Sequence, residues 1–211
     1  MLSEPLLVER ARLVQKGKSG QWVNLQNVMK AQTSIVIDAT LSPDGRLTGK
    51  QTIRHTGLEA VKYRRAKGIV GEFAPEVNKV EDFSVQGKVA DGVISVCPFP
   101  EAPMAANPFQ AESRPVPVQF PYTQSRLVVV NITLPQGYVL ADDPVYNTVS
   151  TPDKGIDGRY VVGTADGKVT VQYQFNVNKL SHSEKNYSQL RGIFDMFANY
   201  SQQPLRFKQT K

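Results

Sequence analysis

The sequence predicts a mainly β protein: an antiparallel β-sandwich-like domain with one amphipathic helix near its C-terminal end. Three observations carry this. Residues 168–177 read K-V-T-V-Q-Y-Q-F-N-V, apolar at every odd position and polar at every even one. A half-buried strand has that pattern because successive side chains leave the pleated backbone on opposite faces. The same period of two recurs along much of the chain, broken by turns such as Pro43-Asp44-Gly45, Asp91-Gly92 and Asp166-Gly167. Finally, Tyr187, Leu190, Ile193, Phe194, Phe197 and Tyr200 recur at helical spacing and form a wide apolar stripe.

Residues 1–28 form a leading segment in which Gln21-Trp22-Val23-Asn24-Leu25 suits a short strand after the Gly17-Lys18-Ser19-Gly20 turn. The β domain occupies 29–211. Its first hairpin pairs 33–41 with 46–56 across Ser42-Pro43-Asp44-Gly45, where Pro fixes φ and Gly accepts positive φ. On the return strand, Leu47 and Ile53 share one face and Arg46, Lys50 and Arg54 the other. Residues 57–67 change period and suit a short helix. A second hairpin joins 83–89 to 93–96. Pro98, Pro100, Pro103 and Pro108 exclude a central strand, because Pro removes ladder donors. The stretch 98–108 is therefore a surface connection, or a linker between two β lobes.

Beyond it, 116–120 and 126–134 read as strands, with Val128, Val130, Ile132 and Leu134 on the better-buried face. A short strand follows at 138–140, and 142–157 is polar and irregular. Residues 159–163 and 168–177 make a third hairpin. Ser181 and Glu184 fit a capping box for the helix, Pro204 stops it, and Leu205 and Phe207 alternate with Arg206 and Lys208 in a closing strand. The aromatic stripe should pack on the odd-numbered face of 169–177.

Composition sets the class. With 211 residues, 40% hydrophobic and 21% charged, the chain can bury its own core. No apolar run approaches the ~20 residues that a membrane-spanning helix needs. The opening Met1-Leu2-Ser3-Glu4-Pro5 lacks the zones of a signal peptide. The net charge of +6 is spread among interspersed acids. Its densest cluster, Lys62, Arg64, Arg65 and Lys67, has no array of stacking aromatics beside it, so nucleic-acid binding is not expected.

No catalytic, cofactor-binding or metal site is expected. One cysteine, Cys97, excludes an internal disulfide. It stands between Val96 and Pro98, without the helix N-terminus or basic neighbour that produces a thiolate, and neither His55 nor His182 lies in a motif. Asp142, Asp143, Asp153 and Asp157 lack the alternating order of a calcium loop and read as solvated charge. Three glycosylation sequons, at Asn131, Asn186 and Asn199, fall within predicted regular structure and read as chance. Arg46, Lys50 and Arg54 form the most coherent surface feature, suited to an acidic partner or to guarding a sheet from aggregation.

One ordered set of phrases adds to this reading. Gln21-Trp22-Val23-Asn24-Leu25 is followed by Ser42-Pro43-Asp44-Gly45-Arg46-Leu47-Thr48-Gly49, then Gly57-Leu58-Glu59-Ala60 and Tyr63-Arg64. Asn107-Pro108-Phe109, Arg114-Pro115-Val116-Pro117-Val118, Leu134-Pro135-Gln136-Gly137-Tyr138 and Tyr187-Ser188-Gln189-Leu190 come later. Together they resemble the C-terminal portion of bacterial exported proteins that carry a transglutaminase-like core. In that family the catalytic cysteine, histidine and aspartate lie upstream of the region resembled, and no position here matches them. The resemblance implies a non-catalytic β domain, periplasmic or extracellular, that packs on the core or presents it to a partner, with 1–28 as the tail of that core. The expected partner is an adjacent domain of the same parent chain or another protein. The alternative is a free-standing module for peptide or glycan, using exposed aromatics such as Trp22 or Tyr122.

Overall fold

Alternation becomes sheet over most of the chain. The computed structural model describes residues 10–25, 30–69, 76–165 and 167–210. The strand expected at 21–25 appears as β2 (Gln21–Asn24), paired with β1 (Arg10–Leu13), and the first expected hairpin as β3 (Ala31–Leu41) with β4 (Arg46–Gly57). Helix α1 (Leu58–Ala66) follows directly. Gly57 makes that corner with φ +59°, and a Cβ there would stand 1.9 Å from Lys30 O, so no other residue fits.

After α1 come β5 (Glu76–Gln86), β6 (Lys88–Ala90) and β7 (Val93–Val96), then β8 (Val118–Gln119), β9 (Gln124–Thr133) and β10 (Tyr138–Leu140). The chain continues through β11 (Val145–Ser150), β12 (Ile156–Ala165), β13 (Lys168–Val177) and β14 (Ser181–His182) to α2 (Tyr187–Gln202) and β15 (Leu205–Gln209). The main sheet has seven strands in the order β11-β12-β13-β9-β3-β4-β5, and a smaller sheet has the order β10-β15-β7-β6. Neighbours are antiparallel except for β3 and β9, which run parallel from Ala31 opposite Gln124 to Thr40 opposite Thr133. Strands from both sides of 98–108 thus join in one sheet, meeting at the seam of β9 and β3.

One face of the main sheet holds the core. Val162, Val171, Val130 and Ile37 face one another along a single row of that inner face. All four are essentially buried. Over them lie Ile94, Val96, Leu205 and Phe207 of the small sheet, and Leu190, Ile193, Phe194 and Phe197 of α2, in the same hydrophobic cluster. The second layer is therefore part sheet and part helix. The expected stripe packs as its spacing requires, with Phe194 4.8 Å from Phe175 and Phe197 5.4 Å from Tyr173, ring centre to ring centre. Tyr187 departs from it, donating its hydroxyl to Ala111 O at 2.8 Å and meeting the edge of Phe109.

Stretch 98–108 is fastened along α2. Met104 N donates to Ser201 Oγ at 3.0 Å, and Asn107 Nδ2 donates to Arg191 O at 3.1 Å and to Asp195 Oδ1 at 2.7 Å. These bonds absorb polar groups that a proline-broken chain cannot place in a ladder.

Three local readings change. Ser181 belongs to β14, and the residue that caps the helical segment is Ser183, whose hydroxyl accepts from Lys185 N at 3.3 Å. A 3-10 turn over Glu184–Asn186 then precedes α2, so the capping box at Ser181 and Glu184 does not form. The second hairpin is confined to β6 and β7, because β5 ends at Gln86 and pairs with β4 in the other sheet. Finally, the polar stretch 142–157 contains β11, an edge strand whose Val145, Asn147 and Val149 turn toward the core side.

Candidate functional site

The outer face of the main sheet is not covered by any described element. Across it runs one register row: Tyr146, Val161, Gln172, Val129, Val36, Thr52, Val80. Five of these are apolar or aromatic. Tyr146 is 72% exposed, Val80 63% and Val36 41%. Leu127 lies in the adjacent row beside Val129, and the Arg159 guanidinium sits 5.2 Å from the Tyr146 ring centre. A strand face that only met water would alternate polar outward, so an apolar row spanning seven strands is a surface suited to contact.

Arg46, Lys50 and Arg54 lie on this outer face, exposed, as their even spacing requires. The fold surrounds them with acids. Arg54 reaches Glu76 through Nε at 3.1 Å and Nη2 at 2.5 Å, Lys50 stands 4.0 Å from Asp82, and Arg46 3.9 Å from Asp44. Hydrogen bonds from Arg54 and Asn78 hold the Glu76 carboxyl below its usual range. Exposed pairs of this kind contribute little stability, but they cancel the field an acidic partner would feel. The three cations are a neutralised margin of the apolar row.

Residues with reactive side chains are dispersed and engaged. Cys97 Sγ contacts Ser201 O at 3.8 Å, and burial pushes its thiol pKa up, against a smaller opposing effect from the Phe99 backbone. His55 Nδ1 is 3.0 Å from Thr33 Oγ1, and the imidazole stacks on Tyr63. His182 is buried against the edge of Phe120 with Nε2 3.0 Å from Lys179 O. Burial lowers the pKa of both imidazoles; nearby Glu59 and the Lys179 carbonyl, respectively, oppose it. Asp142 pairs with Arg206, Asp153 accepts from Thr151 and Lys179, and Asp157 accepts from Asn176 and Asn178. Among the described residues no group of three His, Cys, Asp or Glu gathers to hold a metal. No described helix is long and apolar enough to cross a membrane. Trp22 is 63% exposed on the β1–β2 hairpin, while Tyr122 is half-buried under Lys62, whose Nζ lies 4.2 Å from its ring centre.

One polar feature interrupts the inner face. Where β3 and β9 begin, the row Phe175, Arg126, Thr33, His55 places a guanidinium among core positions. Arg126 Nη1 donates to Pro103 O at 2.5 Å, and the side chain lines a cleft of about 280 Å³ walled by Met104, Pro108, Phe175 and Phe194. Glu59 is in the same lining and is engaged by Lys62 Nζ at 3.4 Å. Tyr173 also lines the cleft; burial pushes its pKa up to about 12. Among the described residues its hydroxyl has no partner in hydrogen-bonding geometry, although the nearby Ser201 hydroxyl opposes part of the upward shift. Sequence reading passed over Arg126. Its parity was the available signal: it shares a face with Val128, Val130 and Ile132, where a charge is out of place.

A family model, a domain of unknown function with solved structures (DUF3858), matches residues 91–207, more than half of the chain. A solved structure, described as a "putative protease" from Parabacteroides distasonis ATCC 8503, is similar over 75% of this chain at 14% identity with a TM-score of 0.47. This chain spans 35% of the length of that structure. No curated protein matches the sequence.

Proposed function

This chain belongs to the DUF3858 family of domains of unknown function, and on that premise we propose that it is a non-catalytic interaction domain of an exported transglutaminase-like protein. The outer-face row carries the proposal. Tyr146, Val161, Val129, Val36 and Val80 form an apolar band whose charged margin is already neutral, which suits a neighbouring domain better than an acidic ligand. The ordered sequence phrases support a transglutaminase-like core as that neighbour. The separate environments of Cys97, His55 and His182 support a role without chemistry, since a nucleophile and its base must be within hydrogen-bond reach.

The test joins sequence to surface. The reading frame that holds this chain should encode a Cys-His-Asp core upstream. In that parent protein, Val36→Lys with Val80→Lys should loosen the domain from the core, read as a new protease-sensitive junction, while the isolated chain keeps its thermal midpoint. A reading frame without such a core, or a junction indifferent to both lysines, would sink the proposal. Cys97→Ala should leave any transamidation or hydrolysis by the parent unchanged.

A further inference from the structure

The cleft over Arg126 lies on the opposite face of the main sheet from the apolar row, so what it binds is independent of the interaction proposed above. We propose that it is a binding site for a carboxylate carried on a compact apolar body, with Arg126 as the recognising group. The argument begins with the cost of the residue. Arg126 is half-buried on the core-facing side of β9, so its guanidinium gives up part of its hydration there. Arg126 has five N–H donors by its chemistry, and its hydrogen bond among the described residues is the one to Pro103 O. The acid in the lining, Glu59, is engaged by Lys62. Among the described residues no carboxylate forms an ion pair with Arg126, so its remaining donors are available to a ligand in the cleft.

What completes it follows from shape and surroundings. The planar fork of arginine matches a carboxylate through two parallel hydrogen bonds. The walls are apolar, from Met104, Phe175 and Phe194, and about 280 Å³ stands at the small end of ligand pockets. A single guanidinium with two parallel donors suits a monoanion such as a carboxylate. Thr33, with its hydroxyl held by His55, borders the guanidinium in the register row and fixes the floor.

Binding can be read from backbone amide spectra of the whole chain, titrated with N-acetyl-L-phenylalanine and with N-acetyl-L-phenylalaninamide, which has the same body without the charge. The acid should shift Ala31, Thr33, Met104 and Arg126 saturably, and the amide should bind at least about tenfold more weakly. Arg126→Gln should abolish that preference with the thermal midpoint retained. Should Arg126→Gln unfold, Ala106→Glu serves: Ala106 is an exposed member of the lining, and a carboxylate there should weaken the acid and leave the amide unaffected. A tetrapeptide ending in a free phenylalanine that shifts the same amides identifies a chain terminus as the natural source; its exclusion, with the small acid still bound, identifies a free metabolite. Equal binding of acid and amide, no saturable shift with either, or acid binding indifferent to the variants overturns the assignment.

Discussion

The ring of Phe197 lies directly on the backbone of Gly158, so close that a Cβ at Gly158 would stand 2.3 Å from Phe197 Cζ. Phe197 is 1% exposed and meets Tyr173 and Phe175 on its other sides, so the ring cannot retreat. Gly158→Ala should therefore destabilise by about 1–3 kcal/mol, the usual cost of overpacking. Phe197→Leu added to Gly158→Ala should recover part of the loss. Equilibrium urea unfolding of the two single variants and the double measures the coupling, and additive losses would contradict the contact.

Phe194 sits between Phe175 of the sheet and Phe109 of the proline-broken stretch, at 4.8 and 4.9 Å. Phe194→Ala should cost about 3–5 kcal/mol through lost burial and a residual cavity. Lys185 is exposed in the turn before α2, so Lys185→Ala should stay within about 0.5 kcal/mol of the parent. Thermal unfolding separates them. A parent-like midpoint for Phe194→Ala would mean that the stripe does not hold the layers together.

Cys97 should behave as a small, half-buried hydrophobe. With its thiol held protonated by burial, native labelling by a thiol reagent should be slow and should accelerate on unfolding. Cys97→Ala should shift stability by at most about 1–2 kcal/mol. Rapid native labelling at neutral pH would reverse this assignment.

Acid should weaken the fold before any carboxylate protonates. Burial holds His182 below its ordinary 6.5, and His55 is lowered in the same direction. The native state then binds fewer protons than the unfolded chain, so stability is complete above that value and is lost as pH falls from it toward the folded value. Asp153 shifts downward, through hydrogen bonds from Thr151 and the Gly155 backbone that outweigh burial, with Lys179 adding to them. Its contribution persists until pH drops below the ordinary 3.8. Urea unfolding should give lower stability at about pH 5.5 than at about pH 7.5, and His182→Gln should reduce that difference. Equal stability at both pH values would refute the linkage.

What the sequence disclosed depended on the range of the forces involved. The alternation at 168–177 and the stripe from Tyr187 to Phe197 are local, and both appear as read. The helix cap was misplaced by two residues, because Ser181 and Ser183 have the same chemistry and only the pairing of Ser181 with Gln119 decides between them. Strand β11 was hidden because it is short and polar, an edge whose alternation is interrupted by Asn147, held by Tyr200 Oη at 2.6 Å. The margin of Arg46, Lys50 and Arg54 was legible as a face, but not its neutralisation, since Glu76 and Asp82 arrive on a strand about thirty residues later. Arg126 needed two things at once: its own parity, and the knowledge that 103–108 would roof it.

The small sheet has a consequence for the birth of the protein. β15 lies between β10 and β7, so the hairpin of β6 and β7 gains its inner neighbour only when Leu205–Gln209 has been synthesised. Until then Ile94 and Val96, both buried in the finished domain, lack the strand that lies on the other side of β7 from β6. The parallel seam of β3 and β9 adds a second delay, because two strands separated by more than eighty residues must meet before the main sheet is continuous. Pairings this distant in sequence are slow and leave apolar edges open in the meantime. The domain therefore closes only after β15 has left the ribosomal exit tunnel.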